Sequence, residues 1–290
     1  MIDTQYENIA FSNAEKQLFI PSCGDNLYSI VYSPPEYSPE SKYTVVVCRP
    51  LLEGSAYILA EQFLGNLARY LASNGCNVIK FHYRGVGDSD GNWEDYTCND
   101  YVQDIDNILA EAQGSIVPSN TKKVVVGLFF GGNLSLSSLV GNDRYDGGIL
   151  INPVHSVDSY VQYLFKFVIS RMFFSQHNRR LLNNTIIMQE LEEGKIVDIL
   201  GHPISKGYHD SLFEHEISTN LHKTEKPFMI MNCGKIPFCD SSHSYGQVSP
   251  CFHETSMMPE MPFLNNGTIE TYYPDIYKVI LDWLQLLERN

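Results

Sequence analysis

The sequence has few basic residues and no long apolar run. Its 20 Lys and Arg residues stand against 34 Asp and Glu residues, giving a formal net charge of −14 over 290 residues. Nucleic acids and anionic membranes both favour Lys and Arg, so we expect neither as a partner. The most apolar stretch, residues 161–174, contains Lys166 and Arg171 and is too short to span a membrane.

Recognisable targeting and metal-binding patterns are also missing. The N-terminal residues do not combine basic residues, an apolar core and a small-residue cleavage site, so we expect no secretion signal. Seven cysteines are an odd number, which favours reduced thiols in the cytoplasm. One segment contains Cys233, Cys239, His243, Cys251 and His253. Their spacing differs from the tight pairs of structural zinc sites, and we therefore expect no metal and no other cofactor.

Apolar patterns alternate between strand-like and helical periods along the chain. They predict strands at 17–21, 26–33, 43–48, 76–81, 122–126, 146–152, 226–232 and 267–272, and helices at 56–73, 99–112, 133–140 and 275–287. Aromatic and aliphatic helical segments at 155–222 interrupt this order, and 233–266 is predicted to be a long loop. The alternation predicts an α/β fold with a mostly parallel twisted sheet of about eight strands and helices on both faces.

The strand at 122–126 is followed by a short glycine-flanked turn and then a helix. The turn consists of Gly127, Leu128, Phe129, Phe130, Gly131 and Gly132. It resembles the nucleophile elbow of α/β-hydrolases, G-x-S-x-G, in its glycines but has Phe129 in place of the serine. A phenyl ring cannot act as the nucleophile of acyl transfer. The alternative is an ordinary strand-to-helix turn in another α/β fold.

A second motif narrows the resemblance. Residues 82–89, His-Tyr-Arg-Gly-Val-Gly-Asp-Ser, are similar to the D-x-R-G-x-G-x-S loop of the serine-aminopeptidase-like branch of α/β-hydrolases, with histidine in the acidic position. Segments 19–27, 85–91 and 201–205 resemble exosortase-associated hydrolase-like proteins of bacterial exopolysaccharide gene clusters. The resemblance is strongest over 17–155. It implies an α/β-hydrolase core at 1–154 and 223–290, with a helical cap inserted at 155–222.

The other parts that such a hydrolase requires are altered too. An oxyanion hole would use the N–H of Phe130 and one from the loop after the third strand. That loop starts with Arg49 and Pro50, and Leu51 supplies the candidate N–H. The catalytic acid is expected near residue 237, where Asp240 is the nearest substitute. The histidine expected before the last helix is missing from residues 270–274, so the sequence predicts no working triad.

Several polar residues remain candidates for binding or for an acid–base role. His155, at the start of the insertion, could face the pocket as a base, with an exposed or structural histidine as the alternative. Arg49 suits a carboxylate, phosphate or sulfate, although a salt bridge with Glu53 or Glu61 is equally compatible with the sequence. Arg84 is predicted to be structural. The predicted ligand-binding residues are therefore Arg49, Leu51, Phe129, Phe130 and His155.

These observations predict a hydrolase-like protein without triad activity. It would bind an acyl, apolar or anionic small molecule or a protein partner, and the resemblance implies a role in bacterial polysaccharide or natural-product assembly. One alternative is an esterase, thioesterase or acyltransferase in which Cys233, His243 or His253 acts with Asp240. Another is a cofactor-free lyase or cyclase that uses the same cavity. A homodimer is left open.

Overall fold

The computed structural model describes residues 14–35, 41–51, 56–171, 184–199, 202–233, 239, 252–257 and 273–287. The strands in these ranges are β1 (Ala14–Ser22), β2 (Asp25–Ser33), β3 (Tyr43–Cys48), β4 (Asn77–Phe81), β5 (Lys122–Leu128), β6 (Gly147–Ile151), β7 (Val197–Ile199), β8 (His202–Ile204), β9 (Phe228–Cys233) and β10 (Phe252–Met257). The helices are α1 (Ala56–Ser73), α2 (Cys98–Ala112), α3 (Phe130–Gly141), α4 (Val157–Arg171), α5 (Asn184–Glu192), α6 (Lys206–Glu214), α7 (Ile217–Asn220) and α8 (Pro274–Leu286).

Eight of the strands form one sheet in the order β1-β2-β4-β3-β5-β6-β9-β10. Six neighbouring strands of this sheet, β4, β3, β5, β6, β9 and β10, are parallel. Strand β2 is antiparallel to both β1 and β4. Every residue of the central strands β3 and β6 is buried, as expected of parallel strands covered on both faces. The predicted α/β fold with about eight strands is confirmed.

The connections of β3 create the site at one edge of this sheet. The chain leaves β3 through α1 to β4 on one side, and returns through α2 to β5 on the other side. Ligands of open α/β sheets bind at the carboxyl ends of strands where the connections diverge in this way. The loop after β3 and the turn after β5 lie together at this point.

We call the segment between β6 and β9 the insert. It contains α4, α5, the two-stranded β7–β8 hairpin, α6 and α7. Helix α6 packs against α2, and α7 packs against α3. The described part of this segment contains four helices, and the hairpin was not predicted because its strands have only three residues each.

Two predictions near the C-terminus differ from the structure. Residues 233–266 were predicted to be a loop, yet they contain strand β10, which pairs in parallel with β9. Its sequence, Phe-His-Glu-Thr-Ser-Met, is too polar to be recognised as a strand, and β10 lies at the sheet edge, where strands need less apolar surface. The strand predicted at 267–272 lies outside the described residues. Helix α3 begins at Phe130, three residues earlier than predicted.

No helix in the described ranges combines the length and the apolar character needed to cross a membrane.

Candidate functional site

Phe129 lies at a sharp bend between β5 and α3. Its backbone has φ 51° and ψ −126°, and its N–H donates to the carbonyl of Ile151 at 2.9 Å. The Phe129 carbonyl accepts a bond from the N–H of Gly132 at 2.8 Å, which starts the helix. A positive φ is strained for a bulky side chain and costs roughly 1–3 kcal/mol. The backbone of a nucleophile elbow is therefore present at Phe129.

The glycines on either side of the bend are required by close backbone contacts. A Cβ atom on Gly127 would overlap the carbonyl of Gly131 and the hydroxyl of Ser135. A Cβ atom on Gly131 would overlap the carbonyl oxygen of Arg49. The bend is thus pressed against the loop after β3, and these contacts explain the glycines at positions 127 and 131.

The two rings at the bend fill space and offer no nucleophile. The Phe129 side chain is only 3% exposed. The Phe130 ring is fully buried and stacks on Tyr160 of α4, with ring centroids 5.6 Å apart and planes 15° apart. The insert therefore contacts the sheet directly beside the bend, through an aromatic pair.

The strand ends beside the bend are joined by an asparagine. Asn152, which follows β6, has a left-handed backbone with φ 46°. Its side-chain amide donates to the carbonyl of Cys233 at 3.0 Å and accepts from the Cys233 N–H at 2.5 Å. The Cys239 thiol donates to the Asn152 carbonyl at 2.9 Å. Within the described residues, the end of β9 therefore lies beside an asparagine amide and the Cys239 thiol, whereas the position expected for the acid, near residue 237, lies outside them.

The residues of the predicted displaced constellation are only partly described. Burial raises the pKa of Cys233 to about 12, so this thiol is protonated at neutral pH. Asp240 and His243 lie outside the described residues. His253 lies on β10, where its backbone pairs with Met229 of β9. Among the described residues, no three or more His, Cys, Asp and Glu side chains are arranged to hold a metal ion.

A buried ion cluster lies next to the loop after β3. The Arg49 guanidinium is 3.3 Å from one carboxylate oxygen of Glu61, and the ammonium of Lys80 pairs with the other. Burial alone would raise the pKa of Glu61, but the positive charges of Lys80 and Arg49 outweigh it and lower that pKa. The salt bridge to Glu61, one of the two predicted roles of Arg49, is therefore formed.

His82 contacts the same cluster and was not predicted as a site residue. Burial, followed by the positive charge of Arg49, lowers its pKa to about 4, so the imidazole is neutral at pH 7. Its Nδ1 accepts a long bond of 3.4 Å from the Asp88 N–H, which places the proton on Nε2. A side chain at position 87 would overlap this ring, so Gly87 leaves room for it. The imidazole stands where the resembling family has an acid.

Arg84 has the structural role that was predicted, with a different main partner. Its Nε donates to the buried carboxylate of Asp104 at 2.8 Å, and its terminal nitrogen donates to the carbonyl of Asp100 at 2.9 Å. Asp104 also accepts from the Ser22 hydroxyl at 2.7 Å. Arg84 thus bonds a carboxylate as well as a loop carbonyl.

The remaining predicted residues take different positions around this edge. Leu51 is buried in the loop after β3, the loop whose Arg49 carbonyl lies against Gly131 of the bend. His155 is half-buried and lies between β6 and α4. The loop after β3 and the bend thus lie together at the carboxyl edge of the sheet. His155 lies at the start of the insert.

An aromatic cluster between the sheet body and the insert was missed in the sequence. It consists of Trp93 in a short 3-10 turn, Tyr101 on α2 and Tyr208 on α6, with His202 of β8 against Trp93. No local pattern indicates it, because the residues come from distant segments. The high tyrosine count, 18 residues, was the only available signal.

The sheet order and the bend define an α/β-hydrolase fold. Residues 60–198 match the family model described as serine aminopeptidase, S33. No curated protein sequence is significantly similar to this chain.

Solved structures support the fold at low sequence identity. The esterase Pf2001 of Pyrococcus furiosus is 13% identical, with a TM-score of 0.65, over 96% of this chain and 92% of that one. Est1E of Butyrivibrio proteoclasticus, in a structure with ferulic acid bound, is 13% identical with a TM-score of 0.67, over 94% and 100% of the chains. DcsB in complex with a substrate analogue is 12% identical with a TM-score of 0.62, over 94% and 99%.

Proposed function

We propose that this chain is a member of the serine-aminopeptidase-like branch of α/β-hydrolases that binds a small ligand without serine-based acyl transfer. The observation that carries the proposal is a phenyl ring on the elbow backbone, at φ 51° and ψ −126°. The backbone geometry that presents a nucleophile is retained, whereas the side chain has no oxygen or sulfur.

The surroundings of the bend support a non-hydrolytic role. Among the described residues, the end of β9 offers the asparagine amide of Asn152 and the protonated thiol of Cys233. In a working triad, a buried acid orients the histidine and stabilises its charged form. Neither the amide of Asn152 nor the thiol of Cys233 can provide that negative charge.

The proposed ligand is an acyl, apolar or anionic small molecule bound at the carboxyl edge of the sheet. Phe129, Phe130 and Leu51 are proposed to supply the apolar side chains of this site and Arg49 its positive charge; each is at most 3% exposed without ligand. Est1E, a structural neighbour, binds ferulic acid, a small molecule with a carboxylate. We further propose that residues 155–222 form a cap over this site, since α4 stacks on Phe130 through Tyr160. A protein partner and a homodimer are the remaining alternatives.

The cellular setting is proposed from the sequence and the thiols. Five cysteines of the described ranges, Cys23, Cys48, Cys76, Cys98 and Cys233, form no disulfide, which supports a reducing compartment such as the cytoplasm. The resemblance of residues 85–91 and 201–205 to exosortase-associated proteins supports a place in bacterial polysaccharide or natural-product assembly.

A second candidate function is an esterase, thioesterase or acyltransferase with a displaced nucleophile. The observation that favours it is the position of the Cys239 thiol, 2.9 Å from the carbonyl of Asn152 at the strand ends beside the bend. A lyase or cyclase that uses the same edge would need only shape and a few polar groups.

Covalent probes and ester substrates separate these functions. Because Cys23 is exposed, the Cys23→Ser variant is the host for iodoacetamide labelling. We expect no labelling by a fluorophosphonate and no turnover of p-nitrophenyl esters. Any labelling by iodoacetamide should be unrelated to ester turnover. If one probe molecule per protein is incorporated and ester turnover is lost with it, the chain is an enzyme and the binding proposal is wrong.

A substitution at the bend completes the test. Phe129→Ser restores the hydroxyl, and Phe129→Ala is the matched control that removes the ring without adding a nucleophile. We expect the same background ester hydrolysis in both variants. Turnover by the serine variant above that of the alanine variant would reveal a working base and acid.

A further inference from the structure

Three buried polar groups meet where the insert covers the sheet body. We call Trp93, Tyr101 and Tyr208 the seam cluster. Their ring centroids lie 5.7 Å (Trp93–Tyr101), 5.5 Å (Trp93–Tyr208) and 6.3 Å (Tyr101–Tyr208) apart, so each ring contacts the other two. Tyr101 is 0% exposed, Tyr208 1% and Trp93 6%.

The polar atoms of this cluster have no hydrogen-bond partner within the described part of the chain. These atoms are the Tyr101 hydroxyl, the Tyr208 hydroxyl and the indole N–H of Trp93. Buried polar groups in native proteins are nearly always hydrogen-bonded, because leaving them unpaired costs free energy. Three such groups in one cluster, on three separate elements, indicate a place built to receive hydrogen-bond acceptors.

The cluster specifies the chemistry of what it would accept. Burial raises the pKa of both Tyr101 and Tyr208 well above the usual value, so both phenols remain O–H donors at neutral pH. The indole N–H is a donor only. At the rim, His202 packs on Trp93 at 4.8 Å, and its pKa is lowered by burial and then by the positive charge of Arg49. The cluster therefore combines donors and flat aromatic walls with a nearby positive potential.

We propose that the seam cluster is a binding subsite for the carboxylate or carbonyl end of a planar, unsaturated small molecule. The ligand's oxygen would accept from the two phenols and the indole, and its planar part would stack on the aromatic rings. This inference rests on the proposed ligand-binding function and extends it to a subsite formed by α2, α6 and the turn at Trp93.

In this proposal a ligand reaches the subsite beside the β7–β8 hairpin, whose His202 lies against Trp93. Helix α6 is fastened to the start of α2, since the Ser211 hydroxyl accepts from the Cys98 N–H at 2.9 Å and Glu214 accepts from the Asn99 amide at 2.8 Å. The hairpin contacts the cluster through the ring of His202. A two-stranded ribbon with strands of three residues has little stability of its own, so we expect the hairpin rather than α6 to be displaced by a ligand.

Trp93 provides a direct readout of binding. The chain has two tryptophans, Trp93 and Trp283, so the Trp283→Phe variant of the full chain reports on Trp93 alone. The probes are trans-cinnamate, cinnamamide and trans-β-methylstyrene, which share a planar skeleton and differ in the acceptor. We expect saturable changes in Trp93 fluorescence with the first two, and at least tenfold weaker binding of the hydrocarbon.

Removal of the phenol hydroxyls tests the assignment of the donors. In the Tyr101→Phe, Tyr208→Phe double variant, two hydrogen bonds to the ligand are lost, and binding of cinnamate and cinnamamide should weaken by at least tenfold. Without ligand, the double variant should be at least as stable as its parent, because the hydroxyls have no partners to lose. Tyr145→Phe is the matched control: its hydroxyl donates to the Ile105 carbonyl at 2.9 Å, so this variant should lose stability and keep its affinity.

Three results would overturn the subsite: no saturable response to any probe, unchanged affinity in the double variant, or a loss of ligand-free stability as large as that of the control. The proposed absence of serine-based catalysis is tested separately, by the fluorophosphonate and ester assays. A protein that fails one set of tests can therefore still pass the other.

Discussion

The strained backbone at Phe129 leads to an unusual expectation for two substitutions. Phe129→Ala and Phe129→Gly both remove a buried ring, which costs about 3–5 kcal/mol. The variants differ in the backbone, because at φ 51° and ψ −126° alanine retains the strain and glycine relieves it. Strain relief is worth about 1–3 kcal/mol. The greater freedom of glycine in the unfolded chain offsets about 0.5–1 kcal/mol of this gain.

The glycine variant should therefore be the more stable of the two, by about 1 kcal/mol. The assay is urea unfolding followed by fluorescence, with midpoints and slopes compared between the variants. The natural protein and its Ala68→Gly variant give the reference comparison of alanine with glycine, since Ala68 is buried within helix α1. There the glycine form should be less stable than the alanine form by about 1 kcal/mol. If the alanine variant at position 129 equals or exceeds the glycine variant, the strain assigned to the bend is wrong.

Three further expectations concern stability elsewhere in the fold. Gly131→Ala should lower the free energy of unfolding by more than about 2 kcal/mol, because the new Cβ would overlap backbone atoms. Gly141→Ala is the control, since open space surrounds Gly141, and it should be neutral or stabilising. Chemical denaturation measures both variants. Burial lowers the pKa of His215 to about 4, below the unfolded value, so stability is lost as pH falls from 6.5 towards 4. Between pH 7 and 5 this loss is about 2 kcal/mol, and unfolding curves of His215→Gln should lack it. Arg84→Met leaves the Asp104 carboxylate buried without its guanidinium, and should lower the unfolding free energy by about 3–5 kcal/mol, partly restored by adding Asp104→Asn.

The sequence was sufficient for the parts of the fold whose residues are locally patterned. The strand Tyr43–Cys48 and the helix Ala56–Ser73 were predicted at their observed bounds, because a fully buried strand and an amphipathic helix each leave a clear signal. The bend at Phe129 could be placed because its glycines lie close to it in the sequence, and Gly127 is required by contacts with Gly131 and Ser135, a few residues away.

Features assembled from distant segments could not be predicted. Tyr208 meets Trp93 only after the insert folds back onto the sheet, and nothing near either residue indicates the other. His82 was noted only as a departure from a motif, and its neutral state follows from burial and from the positive charge of Arg49, which belongs to another loop. Strand β10 escaped notice because an edge strand needs little apolar surface.

The contacts of Gly127 and Gly131 hold the bend from both sides, without using the side chain at its tip. The backbone at position 129 is therefore held in place by its neighbours, and it fixes the direction in which any side chain at this position points. A serine or cysteine placed there would have its oxygen or sulfur aimed in the direction that the backbone imposes. The same rigidity makes this bend a place where new chemistry can be introduced without rebuilding its supports.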